Sequence, residues 1–403
     1  MDCVNMKPIV EFEPVVFEQW REILSNSRKV TEEAYFAIES QVLYNQIRQL
    51  FDEYYDLGKV IEIHEVFGGY ANRSFGVILE KDGQRTDYFV RKCKAEATES
   101  DVMLEHCLIR HALKNGFSEA GGIYPAKDGR TFISLNELKS GRVTSRIFTV
   151  YKFLDGFDKY TWIDNKSTPR EFVNLGKLMA RFHVATHDFK PNGDQSKAEP
   201  KVKVLIPDFP RIFQERAAQP LETQFHGFFV EILPSILAYM RRYAISAHEY
   251  EALLELPIHG DYHSGNVKFD GEETVGLFDF DWSKVDARIF DICLGLVYCC
   301  GSWDLETDGI LRLDDCHYFL KGYDEALAGT DLPSLTEAEK IVFVRLLAGA
   351  HFYLIYWLTE LWYYLDVDNI NDYEAITYLT HFLRGLHWLT ENAGTLEKIV
   401  RDR

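Results

Sequence analysis

The chain has 403 residues, of which 46% are hydrophobic, so it can bury a large core and is expected to be globular, with two lobes. Its formal net charge of −19 argues against a nucleic-acid partner, because phosphate backbones require clustered Lys and Arg. The charge is compatible with a cationic or zwitterionic substrate, although solubility alone would also explain it.

The cysteines and the apolar runs predict a cytoplasmic protein. The seven cysteines are odd in number and include no CxxC pair, so we interpret them as reduced, mostly buried thiols. The first residues lack a basic region followed by an apolar core, so no signal peptide is expected. The apolar run at residues 346–358 is shorter than the roughly 20 residues of a membrane span. It predicts a buried helix, and no membrane partner is expected.

Residues 1–56 are predicted to form a helical extension. Thr31 is a candidate N-cap before an acidic first turn. Apolar residues between Phe36 and Phe51 then follow mostly at helical spacing. The extension could pack on the neighbouring lobe or form a homodimer interface. Ordinary packing is the expectation, and the homodimer stays an open alternative.

The rest of the chain is predicted to divide into a β-rich part and a helical part. Within residues 57–150, strand-forming side chains recur, and residues 101–114 predict one helix that Asn115 and Gly116 end. From residue 151 to 403, helical patterns dominate and are interrupted by one hairpin. This order of elements predicts an α+β protein.

The hairpin region carries the most informative pattern. His259 and Asp261 lie in a loop with glycines at 260 and 265. A short strand over residues 266–269, which begins at Asn266, a turn over 270–273 and a returning strand over 274–278 then lead to Asp279. A hairpin would bring Asn266 and Asp279 together although they are 279 − 266 = 13 positions apart. One base and two hard oxygen ligands suit phosphoryl transfer, which depends on positioning and charge neutralisation.

These residues resemble the aminoglycoside phosphotransferase and choline kinase family, whose signature is His-Gly-Asp-x-x-x-x-Asn followed by a strand and an Asp-containing metal motif. Other stretches are similar to the family in the same order: a glycine-rich hairpin at 66–75, a hinge at 151–156, a helix at 175–183 and a segment with a structural Asp at 286–292. The resemblance covers roughly residues 57 to 300. Among the family's members, the sequence resembles homoserine-kinase-like and RdoA-like small-molecule kinases.

The resemblance implies a bilobal protein-kinase-like fold, with a β-rich N-lobe, a mostly helical C-lobe and ATP between them. It implies that Asp261 is the catalytic base and that Asn266 and Asp279 bind Mg²⁺. His259 and Asp291 would support the catalytic loop. The acceptor would be a hydroxyl group of a small metabolite: an amino acid, an amino alcohol or a sugar. The choice of ATP over GTP stays open.

The family's strand lysine is replaced here by an adjacent basic pair. Because strand side chains alternate between faces, only one of Arg91 and Lys92 can face the phosphates. Glu105 is the helical acid expected to pair with it, although a solvated basic cluster is the alternative. The full set of nucleotide-binding residues that the resemblance implies is Gly68, Gly69, Asn72, Arg91, Lys92 and Glu105.

Side motifs leave alternatives open. His263 and Asp281 are candidate substrate contacts, and loop residues without such a role would look the same. His183 and His187 have zinc-binding spacing, but no third ligand is obvious nearby. The alternative functions are an RdoA-like protein Ser/Thr kinase, a non-catalytic nucleotide-binding module and, more remotely, a metal hydrolase.

Overall fold

The computed structural model describes residues 32–66, 72–139, 142–192, 197–364 and 370–403. Within these ranges the chain has ten α-helices and nine β-strands, which form two compact units. The described residues up to His106 and those of Gly121–Phe153 form the first unit. The described residues of Cys107–Ala120 and Leu154–Arg403 form the second.

The first unit is built on a five-stranded sheet. The elements up to residue 152 are α1 (Glu32–Tyr54), β1 (Lys59–Val66), β2 (Arg73–Lys81), β3 (Gln84–Lys92), α2 (Glu99–Lys114), β4 (Phe132–Lys139) and β5 (Arg142–Lys152). All strand pairs are antiparallel, and the spatial order is β1-β2-β3-β5-β4. This unit is therefore β-rich.

Helix α1 packs on this sheet. Leu43, Ile47 and Leu50 recur at spacings of four and three residues, which places them on one helix face. They are buried in the same core as Phe75 and Val77 of β2. Burying each such side chain stabilises the fold by about 1.5–3 kcal/mol. The helix expected in the N-terminal extension is thus a core element of the first unit, and residues 1–31 lie outside the described residues.

The second unit is mostly helical. Its elements after residue 153 are α3 (Pro169–Thr186), α4 (Val202–Ala217), α5 (Gln224–Arg242), α6 (Ala247–Glu251), β6 (Glu255–Ile258), β7 (Val267–Asp270), β8 (Glu273–Leu277), β9 (Lys284–Ala287), α7 (Arg288–Cys300), α8 (Leu313–Leu327), α9 (Glu337–Tyr364) and α10 (Asp372–Arg401). The short strands form two antiparallel pairs, β6 with β9 and β7 with β8. The two units together confirm the predicted α+β class.

Helices α3 and α8 meet through glycines. A Cβ at Gly176 would lie 1.9 Å from the carbonyl oxygen of Phe319, and a Cβ at Gly322 would lie 1.9 Å from that of Val173. Neither position can carry a side chain without a shift of the backbone. This close approach fixes α3, which carries a residue of the site described below, against α8.

Helix α9 contains the apolar run. By length and composition, Glu337–Tyr363 is the one candidate membrane span in the described part of the chain, and 78% of its most apolar stretch is buried inside the protein. It packs against α7 and α10. This burial is typical of a core helix, as the sequence predicts.

Candidate active site

Asp291 of α7 holds the loop that joins β6 to β7. Its two carboxylate oxygens accept hydrogen bonds from the backbone N–H groups of His259 and Gly260, each at 2.9 Å. Gly260 has a φ of 78°. A Cβ there would lie only 2.6 Å from the carbonyl oxygen of Trp282, so the position requires glycine. Asp291 thus contacts the loop at the place where structural support is expected.

His183 of α3 orients Asp291. Its Nε2 lies 3.0 Å from Oδ2 of Asp291, and its Nδ1 lies 2.8 Å from the Tyr323 hydroxyl. Burial alone would raise the pKa of Asp291, but the hydrogen bond and charge of His183 outweigh burial, and the pKa is lowered. The described residues contain no group of three His, Cys, Asp or Glu side chains suited to a metal. His183 therefore braces the carboxylate that holds the loop.

His259 ties the loop to the end of β8. Its Nε2 lies 3.0 Å from the Phe278 carbonyl oxygen, and its Nδ1 accepts the N–H of Asp261 at 3.3 Å. One ring nitrogen must donate and the other must accept, so the neutral tautomer with its proton on Nε2 fits both contacts. Burial lowers the pKa of His259, which keeps the ring uncharged.

Asp261 is an ionised carboxylate at the centre of the loop, with 22% of its side chain exposed. The Asn266 amide nitrogen donates to its main-chain oxygen at 2.9 Å and to Oδ2 at 3.3 Å. Nε2 of His263 lies 3.7 Å from the same Oδ2. Burial would raise the pKa of Asp261, but the nearby charge of His263 contributes most to lowering it, and the pKa is lowered overall. Asp261 can therefore accept a proton near neutral pH.

Asn266 and Asp279 are brought close by the β7–β8 hairpin. The Phe278 N–H donates to the Asn266 carbonyl oxygen at 3.1 Å, so Asp279 directly follows the residue that is bonded to Asn266. Because the Asn266 amide nitrogen points at Asp261, its Oδ1 is the side-chain atom left for a cation. An amide oxygen and a carboxylate are ligands that suit Mg²⁺.

In the first unit, Arg91 is the basic residue that pairs with Glu105. Its Nη2 lies 2.5 Å from Oε2 of Glu105 and 2.7 Å from the Tyr151 hydroxyl. The Tyr151 hydroxyl in turn donates to Oε1 of Glu105 at 3.0 Å. Lys92 points to the other face of β3, where its Nζ lies 5.9 Å from the centre of the Phe148 ring. Strand alternation left open whether Arg91 or Lys92 pairs with Glu105, and this contact identifies Arg91.

The other residues predicted to contact nucleotide or substrate are Asn72, Asp281, Gly68 and Gly69. Asn72 accepts the backbone N–H of Lys94 through Oδ1 at 2.9 Å. The main-chain oxygen of Asp281 accepts a hydrogen bond from Lys197. Gly68 and Gly69 lie outside the described residues.

Two tyrosines belong to these networks although the sequence did not single them out as site residues. Tyr151 completes the Arg91–Glu105 pair, and the Tyr298 ring of α7 packs on His263 with ring centroids 5.2 Å apart. Tyr298 lies in an apolar helix beside two cysteines, so no local pattern marks it. Its position seven residues after Asp291, on the same helix face, is the one signal that could have identified it.

A β-rich unit, a helical unit and a loop that presents the Asp261 carboxylate beside the Asn266 amide are features of a phosphotransferase with a kinase-like fold. The sequence model of the phosphotransferase enzyme family (APH) matches residues 62–328, more than half of the chain. The chain belongs to this family. It is a small-molecule kinase whose acceptor is an alcohol group.

Similar proteins agree with this assignment. The homoserine kinase of Ralstonia pickettii (strain 12J) is 27% identical over 346 residues, which cover 84% of this chain and 91% of that protein. A microcompartment-associated aminopropanol kinase has a TM-score of 0.60 at 12% identity and covers 87% of this chain and 98% of its own. A spectinomycin phosphotransferase solved with ADP and spectinomycin has a TM-score of 0.59 at 14% identity, with coverages of 86% and 98%. The solved structures confirm the predicted protein-kinase-like fold.

Proposed function

We propose that the protein transfers the γ-phosphoryl group of ATP, with Mg²⁺, to a hydroxyl group of a small metabolite. One observation carries the proposal: the ionised Asp261 carboxylate lies beside Asn266, in a loop that Asp291 holds by two backbone hydrogen bonds. Phosphoryl transfer requires mainly a positioned base and neutralised phosphate charge.

In this reaction Asp261 accepts the proton of the acceptor hydroxyl while the hydroxyl oxygen forms a bond to the γ-phosphorus. The bond from that phosphorus to the β–γ bridging oxygen breaks, and ADP leaves with the electron pair. Mg²⁺ supplies neutralisation of the phosphate charge, and Asn266 Oδ1 and the Asp279 carboxylate would hold it. His259 and Asp291 keep the loop in place and touch no reactant.

The first unit supplies the nucleotide contacts in this proposal. We assign Arg91, and not Lys92, to the phosphates, because Arg91 is the residue that Glu105 binds. Asn72, Gly68 and Gly69 of the glycine-rich hairpin complete the set. An adenine nucleotide is supported by the ADP bound to the spectinomycin phosphotransferase. We place this reaction in the cytoplasm, where its nucleotide and metabolite substrates occur.

We propose an amino acid or an amino alcohol as the acceptor. The Ralstonia pickettii relative is a homoserine kinase, and a structure of the same fold is an aminopropanol kinase. Both names denote a compound with an aliphatic hydroxyl and an amino group. A chain with a net charge of −19 is compatible with a cationic group on the substrate. Homoserine is the first acceptor to test.

The test is Mg²⁺-dependent ADP release with homoserine, aminopropanol, ethanolamine, an amino sugar and a generic protein as acceptors. We expect one amino-bearing alcohol to stimulate release and a chelator to abolish it. Asp261→Asn should lower kcat by about 10²–10⁴-fold, the range for a lost general base. Asp270→Asn, at the exposed far end of the same hairpin, is the matched control and should leave kcat unchanged. Wild-type turnover in Asp261→Asn would refute the proposal, and stimulation by the protein alone would favour a protein kinase.

A further inference from the structure

Five buried side chains of the first unit form one polar network around the hydroxyl of Tyr151. They are Arg91, Glu105, His106, Thr131 and Tyr151, and none is more than 7% exposed. They come from β3, α2, β5 and the residue that precedes β4. Polar groups that are enclosed in this way must satisfy one another, so the direction of the central hydrogen bonds can be worked out.

The donor and acceptor roles of the Tyr151 hydroxyl follow from its three neighbours. Because a carboxylate only accepts, the phenol donates its single hydrogen to Oε1 of Glu105, at 3.0 Å. Because a guanidinium only donates, the phenol oxygen accepts a hydrogen bond from Nη2 of Arg91, at 2.7 Å. The phenol has no second hydrogen, so Nε2 of His106, 3.1 Å away, must donate to it as well. Burial raises the pKa of Tyr151 well above its ordinary value, which keeps the phenol protonated.

His106 supports this hydroxyl from the side opposite the ion pair. Its Nδ1 lies 2.8 Å from the Thr131 hydroxyl, so both ring nitrogens are hydrogen-bonded and the ring has one orientation. The ring also packs edge-on against that of Tyr151, with centroids 5.7 Å apart. The position of the Tyr151 oxygen is therefore set by groups on both sides of it.

The network fixes the plane of the Arg91 guanidinium. Its Nη2 donates one hydrogen to Oε2 of Glu105, at 2.5 Å, and the other to Tyr151. Because the group is planar, fixing both hydrogens of one nitrogen also fixes the directions of the remaining N–H bonds. With Glu105 as its single partner, the same nitrogen could turn about one hydrogen bond. A group that is already oriented requires no ordering when an anion binds.

We propose that Tyr151 is a positioning residue for the nucleotide: its hydroxyl, held in place by His106, orients the Arg91 guanidinium toward the phosphates. The inference rests on the proposed contact of Arg91 with the phosphates of ATP. Tyr151 acts through Arg91, so its effect belongs to the phosphates and not to the nucleoside. Loss of the hydroxyl should therefore weaken the binding of ADP and leave that of adenosine unchanged.

The test is Tyr151→Phe, which removes one oxygen atom and keeps the ring. Calorimetry measures the dissociation constants of ADP with Mg²⁺ and of adenosine. We expect ADP to bind about 10-fold more weakly, the lower end for one hydrogen bond to a charged group, and adenosine to bind as before. KM for the acceptor should stay at the wild-type value. Lower stability cannot imitate this result, because unfolding reduces the binding of both ligands by the same factor.

Tyr55→Phe is the matched control. Tyr55 is buried in the same unit, and within the described part of the chain its hydroxyl has no hydrogen-bond partner. The variant should keep the wild-type ratio of the two dissociation constants. An equal change of the ratio in Tyr55→Phe and Tyr151→Phe would overturn the positioning role.

A double-mutant cycle shows whether Tyr151 acts through the arginine. In the Arg91→Met background, Tyr151→Phe should leave the ratio unchanged, because the guanidinium that it orients is gone. A further 10-fold change there would contradict the inference. So would a wild-type ratio in Tyr151→Phe, and with acceptor-stimulated ADP release intact that result would leave the proposed function standing. A wild-type protein that neither binds nor releases ADP would instead refute the proposed function itself.

Discussion

The guanidinium of Arg91 is held at two points within the first unit. It binds Glu105 and Tyr151, and Tyr151 also contacts Nε2 of His106 at 3.1 Å. Both contacts are made by Nη2, which carries two hydrogens and can donate one to each oxygen. The arginine thus joins β3, α2 and β5 in one polar network inside an apolar unit.

Removing Arg91 should destabilise the protein strongly. The side chains of Arg91 and Glu105 are 5% and 4% exposed, so Arg91→Met leaves a buried carboxylate without its cation. The expected loss in the free energy of unfolding is about 3–5 kcal/mol. Arg85→Met is the control, because its pair with Glu80 is exposed at 67% and 42% and should contribute about 0–1 kcal/mol. Urea unfolding measures both losses, and equal losses would contradict this account of the pair.

Asp279 has a backbone conformation that favours glycine. Its φ of 63° lies in the left-handed region, where a Cβ is unfavourable. Asp279→Ala and Asp279→Gly both remove the carboxylate, so both should lose Mg²⁺-dependent turnover. The alanine variant should be less stable than the glycine variant by about 1 kcal/mol, because only alanine keeps the strained Cβ. Thermal unfolding compares them, and a less stable glycine variant would show that the backbone is not strained.

The order of the site residues along the chain was predictable from the sequence, whereas the residues that each of them contacts were not. The sequence placed Asp261, Asn266 and Asp279 around one hairpin, because loop, strand and turn signals are local. It left Arg91 and Lys92 undecided, because alternation says that they face opposite ways but does not say which way. Tyr298 contacts His263, which lies far away in the chain, so its seven-residue spacing from Asp291 is the one sequence signal of its position.

At the scale of elements, the glycine contact of α3 with α8 should be intolerant of substitution. A Cβ at Gly176 meets the Phe319 carbonyl oxygen at 1.9 Å, so Gly176→Ala must push the helices apart. We expect a loss of about 1–3 kcal/mol or more from overpacking. The shift would also pull His183 of α3 away from Tyr323 of α8, so kcat should fall.

The control for this substitution is Gly394→Ala in α10. No atom lies within 4 Å of a Cβ built there, so alanine should raise stability by about 0.5–1 kcal/mol through its better helix propensity. Calorimetric unfolding of the two variants gives the comparison. A Gly176→Ala variant that is as stable as Gly394→Ala would show that the helices are free to separate.

In the β7–β8 hairpin, the predicted strand bounds differ from the observed ones. The sequence predicted a strand over residues 274–278 that delivers Asp279 at its end, but β8 is Glu273–Leu277 and Asp279 follows it in left-handed backbone. Asn266, expected to begin the first strand, instead closes the short 3₁₀ turn Ser264–Asn266. Strand propensity cannot predict either difference, because both result from the side-chain and main-chain contacts that hold the loop.

At the scale of the whole molecule, motif order was enough to identify the fold. The glycine-rich segment, the hinge, the catalytic loop and the metal motif occur in one order in the family, and the family match over residues 62–328 spans them. The sequence predicted that a large apolar core would form, but not which polar residues would be buried in it. For example, the buried histidines of the second unit follow from tertiary contacts between distant helices, and no local pattern separates them from exposed ones.

Those histidines should make stability depend on pH. His351 of α9 is buried and contacts the Leu347 carbonyl oxygen through Nδ1 at 2.8 Å. Burial lowers its pKa to about 4, from about 6.5 in the unfolded chain. Burial likewise lowers the pKa of His381, despite its contact with Asp308. Between pH 6.5 and pH 4 the unfolded state binds more protons than the folded state, so the free energy of unfolding falls as pH falls.

The stability that neutral His351 contributes is complete above pH 6.5 and lost progressively toward pH 4, by an amount on the order of 3 kcal/mol. Repulsion has the opposite sign, because added protons bring a net charge of −19 closer to zero. Thermal midpoints measured from pH 7.5 to 4.5 should therefore fall in the wild type and fall less in His351→Gln. The exposed His248→Gln should keep the wild-type slope. A wild-type slope in His351→Gln would assign the acid sensitivity to other groups.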